Sequence, residues 1–365
     1  MADADPAPLF RHTPHPAPVP AAERQARLID PGFGRVFTDH MTSVRWSEAR
    51  GWHEAELMPR GPLELDPATA VLHYAQEIFE GLKAYRTVDN GIALFRSQAN
   101  AKRFQVSAER LAMPLMPEAL FVAAVRTLVR ADQAWVPDGD GALYLRPFMF
   151  ADEVFLGVRP AKSYRFLVIA ASVGPYFSGG KAEITIGVAR DHVRAAPGGT
   201  GAAKCGGNYA ASLAPQARAI AEGCDQLVFL DAIERRWVEE LGGMNLCFVF
   251  DDGRLVTPPL DGTILPGITR DSLLQLARDA GLEVREERYG IDQWRADAES
   301  GHLTETFACG TAAVVTPVAR VLDGDASFTI GGGTGGPVAA QLRAQLVAIQ
   351  RGATNDPHQW VERVV

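Results

Sequence analysis

Apolar and polar residues alternate along the chain with the periods of both strands and helices. In the first half, continuous apolar runs predict buried strands at Ile92–Phe95, Leu143–Phe150 and Tyr164–Val173. Apolar residues three or four positions apart predict a helix over Ala99–Leu111. Both periods in one stretch of chain indicate an α/β or α+β protein.

The second half of the chain is richer in strand and hairpin patterns. The predicted strands are Glu183–Ala189, Gln226–Leu230, Arg236–Leu241, Met244–Phe250, Arg254–Thr257, Leu282–Glu287 and Thr304–Val318. The predicted helices are Thr269–Ala280, a short helix near Asp292–Glu299, and Pro337–Gln350 after a glycine loop. No helix is predicted to begin at Cys205. The pattern therefore predicts a second, mixed domain with antiparallel strands.

Proline and glycine divide the chain into segments. Residues 1–20 contain six prolines, which predicts an extended or disordered arm. Residues 174–180 form a turn-rich break that predicts an interdomain linker. We therefore expect a Pro-rich arm over 1–29, an α/β domain over 30–173, a linker over 174–182 and a mixed domain over 183–365.

Composition and charge narrow the class of protein. The chain has 365 residues, of which 47% are hydrophobic, enough for a substantial core. Its net charge of −8 argues against nucleic acid as a partner. It has no apolar run of membrane length and no secretory signal. Its four cysteines contain no C-x-x-C pair, which argues against a zinc site or a disulfide framework. We expect a cytoplasmic protein with neither metal nor membrane partner.

Lysine is rare in this chain, and one lysine lies in an unusual setting. Only five of the 36 basic residues are lysines, and the last of them, Lys204, lies in a segment rich in glycine and alanine (residues 196–209). A partly buried lysine can lose its proton and form a Schiff base with an aldehyde, whereas arginine keeps its proton. On this segment alone, a surface lysine in a flexible glycine loop is the favoured interpretation, and a reactive amine is the alternative that the remaining groups must decide.

A phosphate-binding P-loop is a further alternative for this segment. The match to G-x-x-x-x-G-K-[ST] fails because Ala203 replaces the last glycine and Cys205 replaces the magnesium-binding hydroxyl. Magnesium-dependent ATP binding would favour a nucleotide-binding module.

A Schiff-base lysine for pyridoxal phosphate needs a carboxylate and a phosphate site as partners. Glu239 and Glu240 lie in a predicted strand, so at most one of them faces inward. Residues 265–269 open a predicted helix whose amides suit an anion, and Arg103 could add a charged contact.

Several motifs occur together in a specific order. They are Lys-Cys-Gly-Gly-Asn-Tyr (204–209), Glu-Leu-Gly-Gly-Met-Asn (240–245), Leu-Pro-Gly-Ile-Thr-Arg-Asp (265–271) and Cys-Gly-Thr-Ala-Ala (309–313). Three further matches precede them at 33–41, 73–81 and 144–147. The series resembles that of the branched-chain amino acid aminotransferases, which are fold type IV pyridoxal-phosphate enzymes, over about residues 30–352. The resemblance implies a two-domain α/β (α+β) fold, with a smaller N-terminal α/β domain and a larger, pseudo-barrel C-terminal domain.

The resemblance also implies roles for the cofactor-binding residues. Lys204 would hold pyridoxal 5′-phosphate as an aldimine and move the substrate proton. Tyr209 would contact the phenolic oxygen, and Glu240 the pyridine nitrogen, with Glu239 as its outward neighbour. The phosphate and ring would be held by Arg103, the amides of Ile268 and Thr269, Thr311 and Leu265.

For the substrates, the resemblance implies an aromatic pocket that accepts a branched side chain. Its residues would be Phe33, Tyr74, Phe79, Tyr144 and Tyr176. Arg146 would bind the side-chain carboxylate of glutamate. The amides of Thr311 and Ala312 would bind the α-carboxylate. The reaction would be ping-pong transfer of an amino group from L-leucine, L-isoleucine or L-valine to 2-oxoglutarate, in a homodimer.

Two other reactions on the same fold are alternatives: transamination of D-amino acids and aminodeoxychorismate lysis. Product analysis with L- and D-substrates would separate them. The redox C-x-x-C of mammalian members is absent, since Ala313 and Thr316 occupy its positions. Neither the preferred direction nor the ranking of the three amino acids follows from the sequence.

Overall fold

The computed structural model describes residues 10–174, 176 and 182–365. The chain divides into two compact units. The first unit comprises residues 1–178, 203–206 and 348–365, and the second comprises 179–202 and 207–347. The division at residue 178 falls inside the predicted linker, most of which lies outside the described residues.

The first unit contains one mixed sheet. Its strands run in the order β1-β4-β3-β9-β8-β6-β7-β19, with β2 paired to β9 and β5 paired to β8. Their bounds are β1 Arg11–His12, β2 Val36–Phe37, β3 His40–Ser47, β4 Gly51–Pro59, β5 Glu77–Phe79, β6 Leu82–Arg86, β7 Ile92–Phe95, β8 Ala142–Ala151, β9 Ser163–Val173 and β19 Val361–Arg363. Apart from the parallel pair β1–β4, the neighbouring strands are antiparallel.

Two amphipathic helices pack against this sheet and form its core. The helices of the first unit are α1 Ala21–Leu28, α2 Val71–Tyr74, α3 Ser97–Arg110 and α4 Glu118–Ala131. Phe104 of α3, Phe121 of α4 and Phe166 of β9 are buried, with ring centroids 5.4–5.8 Å apart. Each buried ring contributes about 1.5–3 kcal/mol, so this contact fixes α3 against the sheet.

The second unit contains a separate mixed sheet. Its strands run in the order β12-β11-β10-β17-β16-β13-β14-β15, with β18 paired to β17. Their bounds are β10 Ile184–Ala189, β11 Gln226–Leu230, β12 Val238–Leu241, β13 Asn245–Phe250, β14 Arg254–Thr257, β15 Glu283–Glu286, β16 Leu303–Gly310, β17 Val314–Asp323 and β18 Ala326–Thr329. The remaining helices are α5 Gly206–Ala221, α6 Ile268–Asp279, α7 Ile291–Ser300 and α8 Pro337–Gln350. The mixed α/β fold expected from the sequence is confirmed.

One predicted strand is two strands in the structure. Thr304–Val318 was expected to run without a break, but β16 ends at Gly310 and β17 begins at Val314, which has a φ of 64°. The two strands pair antiparallel, Gly310 opposite Val314. The prediction failed because residues 311–313 carry no proline or glycine that would signal a turn.

A helix also begins where none was predicted. Helix α5 starts at Gly206, directly after Cys205. The two glycines and the internal Pro215 weaken its helical pattern, which is why the sequence did not show it.

The ends of the chain differ from the expected domains. Part of the Pro-rich arm is ordered, since Arg11 and His12 pair with Glu56 and Leu57 and Phe10 is buried. Residues 348–365 belong to the first unit, where β19 pairs with β7. As a result the first unit, not the second, holds more of the chain. Among the described residues, no helix is long and apolar enough to cross a membrane.

Candidate active site

Lys204 lies in the first unit, where its backbone is fixed on both sides. Its N–H donates to Ser107 Oγ at 2.9 Å, and its carbonyl accepts from the Phe79 N–H at 2.9 Å. The side-chain Nζ lies 5.0 Å from the centroid of the Phe79 ring. Ser107 is one turn beyond Arg103 on α3, so one helix face carries both residues.

The surroundings of Lys204 favour a neutral amine. Burial lowers the pKa of Lys204 to about 8, and the positive charges of Arg103 and Arg146 act in the same direction. The negative charge of Glu80 and the nearby Tyr144 oppose this shift. An amine with such a pKa is neutral in a large fraction of molecules at mildly alkaline pH, as a nucleophile must be.

Arg103 forms a buried ion pair with Glu80. Arg103 Nε donates to Glu80 Oε1 at 2.7 Å and Nη2 donates to Oε2 at 2.8 Å. Burial alone would raise the pKa of Glu80, but the charge and hydrogen bonds of Arg103 hold it below the usual value. The pair is therefore ionised and has a fixed geometry.

An aromatic cluster lies in the same unit. The Phe33 ring centroid is 5.2 Å from that of Tyr144 and 5.0 Å from that of Tyr176. Arg146 Nη2 donates to Tyr144 Oη at 3.1 Å, and its guanidinium lies 4.7 Å from the Phe79 centroid. The structure thus brings together four of the five predicted aromatic residues and the predicted arginine.

Tyr74, the fifth aromatic residue, has other neighbours. It ends the short helix α2, is 40% exposed, and contacts the rings of His73 and Phe155. Its place in the substrate pocket stays a prediction. Gly81 has a clear role beside the cluster, since a Cβ there would lie 2.2 Å from Tyr144 Oη.

Glu240 lies on β12 in the second unit, surrounded by donors. Its Oε1 accepts from Arg194 Nε at 2.8 Å and from the Leu265 N–H at 2.9 Å, and Oε2 accepts from Asn245 Nδ2 at 3.1 Å. Glu240 and Arg194 are both buried and form an ion pair. Donors and a paired cation favour the ionised carboxylate, which is the form that can hold a protonated ring nitrogen.

Glu239 is not the outward residue that the strand alternation predicted. It is only 7% exposed, and Thr263 Oγ1 donates to its Oε1 at 2.6 Å. Burial raises the pKa of Glu239. The expectation was wrong because the segment before α6 covers the second face of β12, which no local pattern shows.

The start of α6 is locked to Glu240 through Asn245. Asn245 Nδ2 also donates to the Leu265 carbonyl at 3.1 Å. A Cβ on Gly267, the residue before the helix, would lie 1.9 Å from Asn245 Oδ1. Ile268 and Thr269 are the first two residues of this 12-residue helix, whose N-terminal dipole favours an anion.

The other predicted cofactor residues of the second unit lie at element ends. Tyr209 is in the first turn of α5, beside Gly243, whose added Cβ would lie 3.7 Å from Tyr209 Cε1. Thr311 and Ala312 lie in the turn between β16 and β17.

The chemistry of the residues in each unit suits a part of pyridoxal phosphate. The first unit offers a lysine with a lowered pKa and an arginine of fixed orientation. The second offers an ionised carboxylate and a helix start that suits a phosphate.

Sequence reasoning missed two buried charges, Glu80 and Arg194. Glu80 interrupts the apolar run Ile78–Leu82, and a charged residue in a buried strand pattern requires a partner, so its signal was present. Arg194 lies in an irregular segment between β10 and α5, where no periodicity marks it.

Known proteins of similar sequence agree with this chemistry. The family described as Amino-transferase class IV matches residues 77–321. The branched-chain-amino-acid aminotransferase of Mycobacterium tuberculosis is 57% identical over 352 residues, covering 95% of this chain and 96% of that protein. A probable branched-chain-amino-acid aminotransferase of Streptomyces coelicolor is 56% identical, covering 97% and 98%.

Solved structures are similar as well. The branched-chain amino acid aminotransferase of Escherichia coli superposes with a TM-score of 0.74 at 30% identity, covering 89% of this chain and all of that one. The T.th. enzyme, solved with pyridoxamine 5′-phosphate, gives a TM-score of 0.71 at 32% identity, covering 89% and 99%. These similarities leave the P-loop alternative without support, although a helix does follow Cys205. The chain belongs to the class IV aminotransferases, and it is a pyridoxal-phosphate-dependent branched-chain aminotransferase.

Proposed function

We propose that this enzyme transfers the amino group of L-leucine, L-isoleucine or L-valine to 2-oxoglutarate, reversibly and by ping-pong kinetics, with Lys204 as the catalytic residue. The observation that carries the proposal is the buried Lys204, whose lowered pKa suits both covalent attachment and proton transfer. The identity of about 57% to a branched-chain aminotransferase supports the substrate class.

Lys204 would attach the cofactor and would move the substrate proton. When bound, pyridoxal phosphate supplies an aldehyde for the amines and a ring that accepts electrons released at the substrate Cα. The Lys204 Nζ, once released from the cofactor, would take the proton from the substrate Cα and return it at the next stage. The hydrogen bonds of its backbone to Ser107 and Phe79 would fix the point from which the amine reaches during both transfers.

Glu240 would hold the protonated pyridine nitrogen as a carboxylate, supported by its donors Arg194, Asn245 and Leu265. Tyr209 would contact the phenolic oxygen, and Leu265 would pack against the ring. The phosphate would be bound by Arg103, the amides of Ile268 and Thr269, and Thr311.

The aromatic cluster would bind the branched side chain. Burial of such a side chain against Phe33, Tyr144 and Tyr176 contributes about 1.5–3 kcal/mol. Arg146, beside the Tyr144 hydroxyl, would bind the side-chain carboxylate of glutamate, so one pocket would serve both substrates. We further propose Tyr74 and Phe79 as pocket residues and the amides of Thr311 and Ala312 for the α-carboxylate.

Two features remain predictions from the resemblance, namely a homodimer and a cytoplasmic location. The oligomeric state is open to light scattering of the purified protein at several concentrations. A monomeric mass throughout would contradict the expected dimer.

The test of the catalytic assignment combines a spectrum with chemical trapping. Purified enzyme should absorb visible light, and leucine should shift that absorption. Borohydride should fix the cofactor to Lys204, as mapped by mass spectrometry of peptides. Lys204→Ala should lose turnover by at least about a hundredfold. Lys162→Ala is the control, because Lys162 is exposed and pairs with Glu48. A Lys204→Ala enzyme with full turnover would overturn the proposal.

A further inference from the structure

Glu80 is a completely buried carboxylate whose contacts hold it in one place. It follows β5, and its own N–H donates to the Pro147 carbonyl at 2.7 Å. Besides the two bonds from Arg103, its Oε2 accepts from Asn100 Nδ2 at 2.7 Å and from the Gly81 N–H at 3.0 Å. Both oxygens are therefore engaged by donors from α3 and from its own segment.

We propose that Glu80 is a positioning residue of the aminotransferase site: it holds the Arg103 guanidinium in the orientation that receives the cofactor phosphate, and it supplies the negative charge that balances the Lys204 ammonium. This inference rests on the proposed roles of Lys204 and Arg103.

The shape of the guanidinium explains how Glu80 orients Arg103. Glu80 takes the edge of Arg103 that carries Nε and Nη2, in a bidentate contact. Because the guanidinium is planar and rigid, this contact also fixes the direction of its other edge, which carries Nη1. An arginine held in this way binds a phosphate without first losing the freedom of its long side chain.

The charges around Lys204 explain why a carboxylate is needed beside it. Arg103 on α3 and Arg146 on β8 place positive charge near its amine, and Tyr144 on β8 is the neighbouring phenol. Glu80 supplies negative charge from the segment after β5, which is held against Lys204 because the preceding residue, Phe79, donates its N–H to the Lys204 carbonyl at 2.9 Å. Without Glu80, burial and two cations would act together to lower the pKa of Lys204 further, and the amine would hold a proton more weakly between the two transfers.

Glu77, three residues earlier, provides a matched control. Its carboxylate accepts a hydrogen bond from the Gly206 N–H, and the positive charge of Arg146 favours its ionised form. Burial raises the pKa of Glu77, whereas that of Glu80 is lowered. The change Glu77→Gln thus removes a carboxylate from the same segment without touching Arg103.

The experiment measures how the cofactor-free full-length enzyme captures two aldehydes, pyridoxal and pyridoxal 5′-phosphate, followed by visible absorption across pH. Capture requires the neutral amine, so the inflection of its rate reports the protonation of Lys204. In Glu80→Gln we expect this inflection to fall by about one pH unit with both aldehydes. We also expect the preference for the phosphorylated aldehyde to fall about tenfold, as one charge-assisted contact loses its geometry.

Glu80→Asp separates charge from geometry. It retains the negative charge, so the inflection should stay near that of the wild type, but its shorter side chain cannot keep the bidentate contact, so the phosphate preference should fall. Glu77→Gln should keep both properties. A Glu80→Gln enzyme with the wild-type pH inflection and the wild-type phosphate preference would overturn the inference. If Glu80→Gln does not fold, an unchanged phosphate preference in Glu80→Asp would overturn it. Wild-type enzyme that captures neither aldehyde at Lys204 would instead refute the proposed function.

Discussion

At the scale of single residues, the chemistry depends on which charges are buried together. Arginine outnumbers lysine many times in this chain, yet lysine occupies position 204. Only lysine can release its proton there, because arginine keeps its charge in proteins. The sequence could single out Lys204 for this reason, but its partners Arg103 and Glu80 come from elements far from it along the chain.

Lys204 should make the stability of the cofactor-free protein depend on pH. Its pKa falls from 10.5 to about 8 on folding, so between these values the unfolded chain binds more protons than the folded one. The free energy of unfolding therefore rises with pH across this window, and the burial of Lys204 costs most below pH 8.

We expect Lys204→Met to raise the free energy of unfolding by about 1–3 kcal/mol at pH 7, because no ammonium is then buried. The gain should shrink as the pH approaches 10. Denaturant unfolding of both cofactor-free proteins at several pH values measures this difference. A gain that is the same at pH 7 and pH 10 would contradict the assignment of the lowered pKa to Lys204.

At the scale of elements, most predicted strands and helices agree with the structure to within a few residues. Gln226–Leu230 and Arg254–Thr257 match β11 and β14 at both ends. Strands β3, β4 and β6 and helix α4 were not predicted at all. The predictions that were made failed at β16–β17 and α5, where turn and helix signals are weak in the sequence. Their positions carry proposed site residues, because the turn holds Thr311 and the helix holds Tyr209.

Gly267 shows how an element end is tied to the site. We expect Gly267→Ala to weaken the affinity for pyridoxal 5′-phosphate about tenfold or more, since its Cβ would displace Asn245 and with it a hydrogen bond to Glu240. A fluorescence titration of the cofactor-free protein measures the affinity. Gly61→Ala is the control, because no atom lies within 4 Å of a Cβ there. Equal affinities in the two variants would show that Asn245 can move freely.

At the scale of the whole molecule, the last residues of the chain complete the sheet of the first unit. Strand β19 pairs with β7, and Val364 is 6% exposed within the core of that unit. The hydrophobic pattern could not assign these residues, because a short strand pairs with whichever edge the rest of the fold presents.

We expect Val364→Ala to lower the free energy of unfolding by about 1–3 kcal/mol, because it leaves a cavity in the first unit. Val365→Ala, at a position that is 43% exposed, should change the free energy of unfolding by less than about 0.5 kcal/mol. Thermal or denaturant unfolding measures both variants. A loss for Val364→Ala as small as that expected for Val365→Ala would place Val364 outside the core.

The sequence alone determined the family and the cofactor and predicted the reactive lysine, because these depend on residue types at fixed spacing in short motifs. It also predicted many of the elements, mainly those of the second unit, since hydrophobic periodicity is a local property. The tertiary structure decided that Glu239 is buried like Glu240, that Arg194 pairs with Glu240, and that Glu80 pairs with Arg103 and opposes the lowering of the Lys204 pKa. Glu80 and Arg103 are 23 positions apart, and Arg194 and Glu240 are 46 positions apart, so only the packing of the elements brings these residues together.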